Sequence, residues 1–405
     1  DKCPEYARLY YPEPLTAEQV QQTLEPDAVM LEYSVGKEQC FLFALTRGEL
    51  QVYPLPAEAE IRQATEKFRE LVLSRDSRDY CALASQLYEM LVSPADGLLA
   101  GKKNIIVIPD GPLHYLAFEC LLTERVSRPD FSRLPYLLRK AAVTYAPSAT
   151  ALTEIGRRQK QQAPNDKQML ICADPDYGTD EDEVHQTMRH ARSLRNSLVR
   201  LPYSALEARN LSSIFKPGEV LVLDRASASE ERLKTMNLSA FRYVNFATHA
   251  FLDEECPQFS SIVLAQGNGA EDGFLQTQEI FNLKLNARLV TLSACSTACG
   301  ELLNGEGVVG LSRAFFYAGT PSVVASLWNV NDASTAKLMT ELFTAIKSRG
   351  RTPAEALREA KLRIIDAASP ASFSVVPAKQ TPGQLDTGGS YAHPFYWAAF
   401  VLIGK

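Results

Sequence analysis

No apolar run in this sequence approaches the ~18–20 residues needed to cross a bilayer. The best, Asn104 to Pro109 and Leu289 to Ala294, are strand-sized, so a membrane-spanning helix is not expected in this sequence. Positive charge is also short: 42 Lys and Arg against 48 Asp and Glu leave a net −6. That balance gives no electrostatic case for wrapping nucleic acid. Eight cysteines in 405 residues, scattered at 3, 40, 81, 120, 172, 256, 295 and 299, fall far below a secreted disulfide framework. They read as reduced thiols of a cytoplasmic protein. With 21 Gly and 23 Pro the chain is neither collagen-like nor disordered. It begins at Asp1, without an initiator Met, and so reads as a piece of something longer or a processed product; a missing signal peptide then says little.

What is present is an alternation of short β-rich runs with helical patterns, the mark of an α/β protein with a largely parallel sheet. The spacing predicts strands at Val29–Val35, Cys40–Leu45, Leu50–Tyr53, Ile105–Pro109 and Ala142–Tyr145, with helices at Glu58–Leu73 and Tyr80–Leu91. The polar stretch Arg158–Lys167 reads as a linker, dividing an N-terminal half, residues 1–160, from a C-terminal half, residues 168–405. Beyond it, strands are expected at Met169–Ala173, Val220–Leu223, Tyr243–Ala247, Ile262–Leu264, Leu289–Ser293, Ser322–Ala325 and Tyr396–Ile403. Helices are expected at Leu206–Ile214, from a capping box of Ser227 and Glu230 to Met236, and at Val308–Tyr317, Ala333–Ile346 and Pro353–Ala367. Ser369–Gly389 is polar and long for a loop in a compact domain. The two halves echo each other faintly: NIIVIPDGPLHYLAFECLL and RYVNFATHAFLDEECPQFSSIVL both run strand, His-containing turn, apolar segment. Chance and duplication both account for that.

Two apolar strands end on reactive side chains. YVNFATH places His249, and RLVTLSAC places Cys295, at the carboxyl ends of strands, where ligands bind in open α/β sheets. Adjacent strands lie ~4.8 Å apart, so an imidazole and a thiol could meet there. A Cys thiol, with pKa near ~8.5, needs such a neighbour to become a nucleophile. Small residues flank both positions (Ala247, Ala250, Ala294, Ser296), and Gly300, Gly305, Gly307 and Gly310 lead into a helix. Taken singly, such a Cys is more often a small buried hydrophobe, and such a His more often a polar cap or a surface residue. Cys295 and Cys299 with His249 or Cys256 would make an incomplete zinc set, since structural zinc sites usually show two such cysteine pairs. GNGAEDG at 267–273 lacks the Lys and Ser/Thr of a phosphate loop and suits a hairpin or recognition loop.

The blocks FATHA, LSACSTACG, GEGVVGLSRAFFYAGTPSVVASLWNVNDASTAKLM and HPFYWAAFVLIG, with IIVIPDGPLHYLAFECLL, VTYAPSATAL and LPYSALEAR upstream, resemble the CHAT family of caspase-like cysteine proteases, relatives of separase in clan CD. The resemblance implies a caspase-hemoglobinase fold: a mostly parallel sheet flanked by helices, preceded by a pseudo-caspase-like half in which His114 would be a relic. It implies a His249/Cys295 dyad, an oxyanion hole from the backbone N–H groups of Ala250 and Cys295, and no metal or organic cofactor. It implies an endopeptidase acting on a protein substrate in a bacterial defence or signalling pathway, switched on by a partner or an upstream tetratricopeptide-repeat region. Neither nucleic acid nor membrane is an expected partner. Two departures stand out: Ala250 where caspases and separases usually have Gly, and Ala298–Cys299 after Thr297 where SACxTG is usual. They keep open an alternative, a catalytically inactive caspase-like interaction module. Trp328, Asn329 and Asp332 in SLWNVND are expected to wall the S1 pocket and favour a basic or large P1, although Asp332 could instead cap the helix at Ala333. The segments Asp176–Glu183 and Ser369–Gly389 are expected to be mobile, the ordering of one of them completing the site.

Overall fold

A computed structural model describes residues 13–127, 129–160, 163–177, 198, 200–253, 256–266, 271–293, 296–298, 306–367 and 391–405. Its centre is one eleven-stranded sheet of order β3-β2-β1-β4-β5-β15-β14-β12-β8-β6-β7. The N-terminal strands are β1 (Ala28–Val35), β2 (Cys40–Leu45), β3 (Leu50–Leu55), β4 (Asn104–Ile108) and β5 (Ala142–Tyr145). The C-terminal ones are β6 (Lys167–Pro175), β7 (Val220–Arg225), β8 (Phe241–Ala247), β12 (Leu289–Leu292), β14 (Ser322–Ser326) and β15 (Phe400–Gly404). A smaller sheet, β11-β10-β9-β13, joins β9 (Ala250–Leu252), β10 (Ser261–Val263), β11 (Phe274–Gln276) and β13 (Ser296–Ala298).

Central strands covered on both faces must be apolar throughout. All described residues of β12 and β14 are accordingly buried, and β8 is buried at six of seven positions. Among the described residues, helices of six or more residues are α1 (Ala17–Thr23), α2 (Glu58–Ser74), α3 (Tyr80–Leu91), α4 (Ala149–Gln159), α5 (Pro202–Ile214), α6 (Glu230–Thr235), α7 (Glu306–Ala318), α8 (Asp332–Arg349) and α9 (Pro353–Asp366). α5 buries Ser204, Glu207, Ala208 and Leu211, the stripe a 3.6-residue period turns towards a sheet. The chain is thus α/β, with a large, mostly parallel sheet flanked by helices.

Strand direction reverses once near the middle. β1, β4, β5 and β15 run parallel, β15 pairs antiparallel with β14, and β14, β12, β8, β6 and β7 run parallel again. Read towards this seam, β2-β1-β4-β5 and β7-β6-β8-β12 have the same chain order: second, first, third, fourth strand of the set. The hairpin partner β2 is antiparallel to β1, whereas β7 is parallel to β6. The turn Gly111–Tyr115, with His114, follows β4, and His249 follows β8. Because direction reverses at the seam, these histidines lie on opposite rims of the sheet.

Three local expectations are corrected. Helix α6 is capped by Ser229, whose hydroxyl accepts from the N–H of Arg232, while Ser227 bonds to the backbone of Asp224. Helix α8 is capped by Asn331, which accepts from Ser334 N–H at 3.0 Å, so Asp332 is its first residue and not its cap. The last strand is shorter than the aromatic run suggested. Pro394–Tyr396 forms a 3-10 turn, held by Nδ1 of His393 accepting from Phe395 N–H, and only Phe400–Gly404 is strand. Trp397 is fully buried there, its indole N–H satisfied by the Ala392 carbonyl at 3.0 Å.

Candidate active site

The carboxyl ends of β6, β8, β12 and β14 share one rim, where connecting loops converge. β8 ends at Ala247, Thr248 and His249 follow, and Ala250 starts β9. β12 ends at Leu292, and Ser296 starts β13. In the large sheet Leu292 pairs with Phe246; in the small one Ser296 pairs with Ala250. The two strands therefore separate and re-pair with four residues' advance on each side. His249 stands one position before Ala250, and Cys295 one position before Ser296 in sequence. Cys295 and Cys299 lie outside the described residues, as do residues 178–197 of the acidic loop and the segment 368–390.

His249 is buried, at 7% exposure. Its carbonyl accepts from Val263 N–H at 2.8 Å, fixing the backbone against β10. Its ring lies 5.3 Å from that of Tyr177. The Thr248 hydroxyl donates its one proton to the Val263 carbonyl, so at the 2.9 Å contact between Tyr177 Oη and Thr248 Oγ1 the tyrosine is the donor. The His249 backbone also hydrogen-bonds to Tyr177, and burial pushes that phenol up to about 12, so it stays protonated. Tyr177 belongs to a small apolar cluster with Phe251, Val263 and Phe274.

Two further groups on this rim escaped the sequence reading. Asp174, at the end of β6, is buried with φ 47°, a left-handed conformation unusual outside glycine. Arg200 grips it in a two-pronged pair at 2.8 and 2.5 Å, and its own N–H donates to Ser204 on α5. Glu207, also on α5, is 2% exposed. Its Oε1 accepts from Asn245 Nδ2 at 2.8 Å and from Ser293 Oγ at 2.7 Å, while the Thr291 hydroxyl donates to Asn245 Oδ1. Desolvation pushes its carboxyl up to about 7, against the pull of the two donors. The legible signal for both was a polar residue inside an apolar pattern; what it bonds to was not.

The SLWNVND residues lie between β14 and the start of α8. The Trp328 side chain is buried, with Nε1 donating to the Phe395 carbonyl at 3.1 Å. Asn329 is exposed. Asp332 Oδ2 accepts from the Tyr203 N–H at 2.9 Å, and burial raises its carboxyl to about 6. Asp174 stands near the carboxyl end of β6 and Asp332 starts the helix that follows β14, so both lie at strand ends on the rim that carries His249.

Among the described residues, one trio of carboxylates could in principle hold a metal: Glu230, Glu271 and Glu279. The ammonium of Lys234 already stands among them at 2.6, 2.6 and 2.7 Å, so a side-chain cation occupies the place between the carboxylates. β10 and β11, which flank 267–273 in sequence, pair antiparallel; residues 267–270 lie outside the described residues. The described cysteines 40, 81, 120, 172 and 256 are unpaired thiols, with only Cys256 exposed. No helix among the described residues is long and apolar enough to cross a membrane.

Comparison with known proteins shows what this chain is similar to. The chain is 29% identical over 131 residues to Tetratricopeptide repeat protein 28 of Mus musculus, and equally so to that of Homo sapiens, a match covering 32% of this chain. It spans 4% of the length of those relatives. Among solved structures it is similar to the separase–securin complex of Saccharomyces cerevisiae, at 12% identity and TM-score 0.49, covering 96% of this chain and 31% of that one. It is also similar to the Arg specific cysteine proteinase gingipain R, at 11% identity and TM-score 0.42, covering 86% and 74%. The family model described as the CHAT domain matches residues 82–405, four-fifths of the sequence, and the chain belongs to that family.

Proposed function

We propose that this chain is a cysteine endopeptidase in which Cys295 is the nucleophile and His249 its acid–base partner. The observation that carries the reading is the matched register: Phe246 pairs with Leu292 before the two positions, and Ala250 with Ser296 after them. The thiol passes its proton to the imidazole and sulfur attacks the scissile carbonyl. The imidazolium returns that proton to the leaving amine, and the acyl thioester is then hydrolysed by water that His249 deprotonates. Backbone N–H groups of Ala250 and Cys295 hold the oxyanion.

Asp332 supports a basic P1. Among the described residues its hydrogen-bond donor is the Tyr203 N–H, and a carboxyl raised by burial is one that a cationic side chain would stabilise. Trp328 and Asn329 bound the same loop and complete the S1 wall. Residues 1–160 are read as a pseudo-protease-like half and 168–405 as the active half, supported by the common strand order on either side of the seam. We further read the enzyme as cytoplasmic, serving bacterial defence or signalling, and switched on by a partner or an upstream tetratricopeptide-repeat region. The likeness to a tetratricopeptide repeat protein supports the last point.

The test is a diverse peptide library incubated with the chain and with Cys295→Ala. Cleavage after basic residues that the variant abolishes supports the reading. Absence of cleavage, with Cys295 alkylating no faster than the other seven thiols, favours the inactive interaction module instead.

A further inference from the structure

Helix α5 turns a stripe of Ser204, Glu207, Ala208 and Leu211 to the sheet, and Glu207 is the residue that does not belong there. A buried carboxylate is costly unless donors replace its water. Among the described residues no cation reaches it. Its donors come instead from two adjacent strands: Asn245 of β8 and Ser293, just past the end of β12. Asn245 and Thr291 pair across the strands, are both wholly buried, and bond to each other through their side chains. A polar chain thus runs Thr291, Asn245, Glu207, Ser293 through an otherwise apolar layer. It spans the two strands leading to His249, four residues after Asn245, and to Cys295, two residues after Ser293.

We propose that Glu207 is a positioning residue for the His249/Cys295 pair, its carboxylate clamping the ends of β8 and β12 to one helix and so fixing the separation of imidazole and thiol. The inference rests on the protease reading above. Charged groups around the first turns of α5 include Asp332 of α8, which bonds Tyr203 and whose charge adds to the rise of the Glu207 carboxyl, and Asp174 of β6, whose N–H bonds Ser204 and whose carboxylate is paired with Arg200 and Arg225. None of them donates to Glu207, so the two uncharged donors define where the carboxylate sits. Its carboxyl stands at about 7, so it changes charge where such an enzyme would work.

The experiment measures alkylation of Cys295 by iodoacetamide across pH, read by mass spectrometry on the full chain, with thermal unfolding followed in parallel. His249→Ala is the reference: it should move the alkylation midpoint towards the ordinary thiol value of ~8.5. Glu207→Gln and Ser293→Ala should move it the same way and slow alkylation at neutral pH about tenfold, the scale expected when a reacting pair is misplaced. Ser293→Thr, which keeps the hydroxyl, should retain the parent midpoint. A purely structural Glu207 would lower the melting temperature and leave the midpoint where it was, and that result overturns the proposal. If Glu207→Gln does not fold, Ser293→Ala decides alone. A parent midpoint in His249→Ala would instead sink the dyad, and is read separately from the Glu207 result.

Discussion

Tyr177 holds the His249 imidazole from the side: ring centres 5.3 Å apart, with the phenol donating to Thr248, the residue immediately before it. A side chain from the end of one strand thereby fixes the histidine that ends its neighbour. Tyr177→Phe keeps the ring and removes the hydroxyl. It should cost about 1 kcal/mol of stability, the usual worth of one hydrogen bond. Tyr177→Ala should cut kcat/KM by about tenfold or more, since the imidazole loses its lateral support. Steady-state kinetics of the two variants on one peptide substrate checks this; equal kcat/KM in Tyr177→Ala and the parent would refute it.

The nucleophile and its partner should behave as one unit. Cys295→Ala should abolish turnover and leave peptide binding intact. His249→Ala should be nearly as severe, and the double variant little worse than either, because neither group works without the other. Activity should fall on acidification with apparent values belonging to the pair. Cys299→Ser should keep most activity. Additive losses in single-turnover assays would contradict the coupling.

Asp332 should set the pH dependence of substrate binding. With its carboxyl at about 6, it is charged above that pH and neutral below, so KM for a basic P1 should rise as the medium is acidified through that point. Asp332→Asn should raise KM for Arg and Lys substrates by about thirtyfold or more at neutral pH, the lower range for losing one partner of a charge pair. It should also flatten the dependence. An unchanged KM in the variant would remove Asp332 from the pocket.

Glu207 gives a stability prediction of definite sign. Its carboxyl moves from an ordinary 4.5 to about 7 on folding, so the folded state holds the proton more tightly. Its contribution is present in full below about 4.5 and is lost as pH rises through about 7. Glu207→Gln should therefore gain stability relative to the parent on going from pH 4 to pH 8, by about 3 kcal/mol. Denaturant titration at the two pH values measures the difference, and no relative gain at pH 8 would show that the carboxyl is not buried as described.

The ion pair between Lys361 of α9 and Glu119 is 2.8 Å long, with both side chains about 1% exposed. Tyr145 of β5 donates to the other oxygen of Glu119, at 2.6 Å. Lys361→Met should destabilise by about 3–5 kcal/mol, because it strands a buried carboxylate. A loss below 1 kcal/mol in urea unfolding would contradict the pairing.

Much of this architecture was legible because buried parallel strands must be apolar along their whole length. Met169–Ala173, Tyr243–Ala247 and Leu289–Ser293 stand out on that ground alone. β9 and β13, three residues each, did not, since a period needs more residues than that to show. Their pairing, which frames the candidate site, depends on residues far apart in sequence. The same holds for Glu207 and Asn245: each is an oddity in an apolar stripe, and only their 2.8 Å contact gives them a joint meaning. Asn331 and Ser229, rather than their neighbours, cap their helices because capping follows backbone direction, which composition does not specify.

The strand latest in sequence, Phe400–Gly404, occupies the middle of the sheet. During synthesis both outer blocks can form before the piece that joins them has left the ribosome. Their union waits on a pairing between Tyr145 and Ile403, about 250 positions apart, the kind of contact that slows folding. A chain cut between Cys299 and Phe400 would retain His249 and Cys295 but lose the seam strand, leaving β5 and β14 without the neighbour that pairs with both. Such a fragment should expose unpaired strand edges, the kind of surface that templates association with another chain.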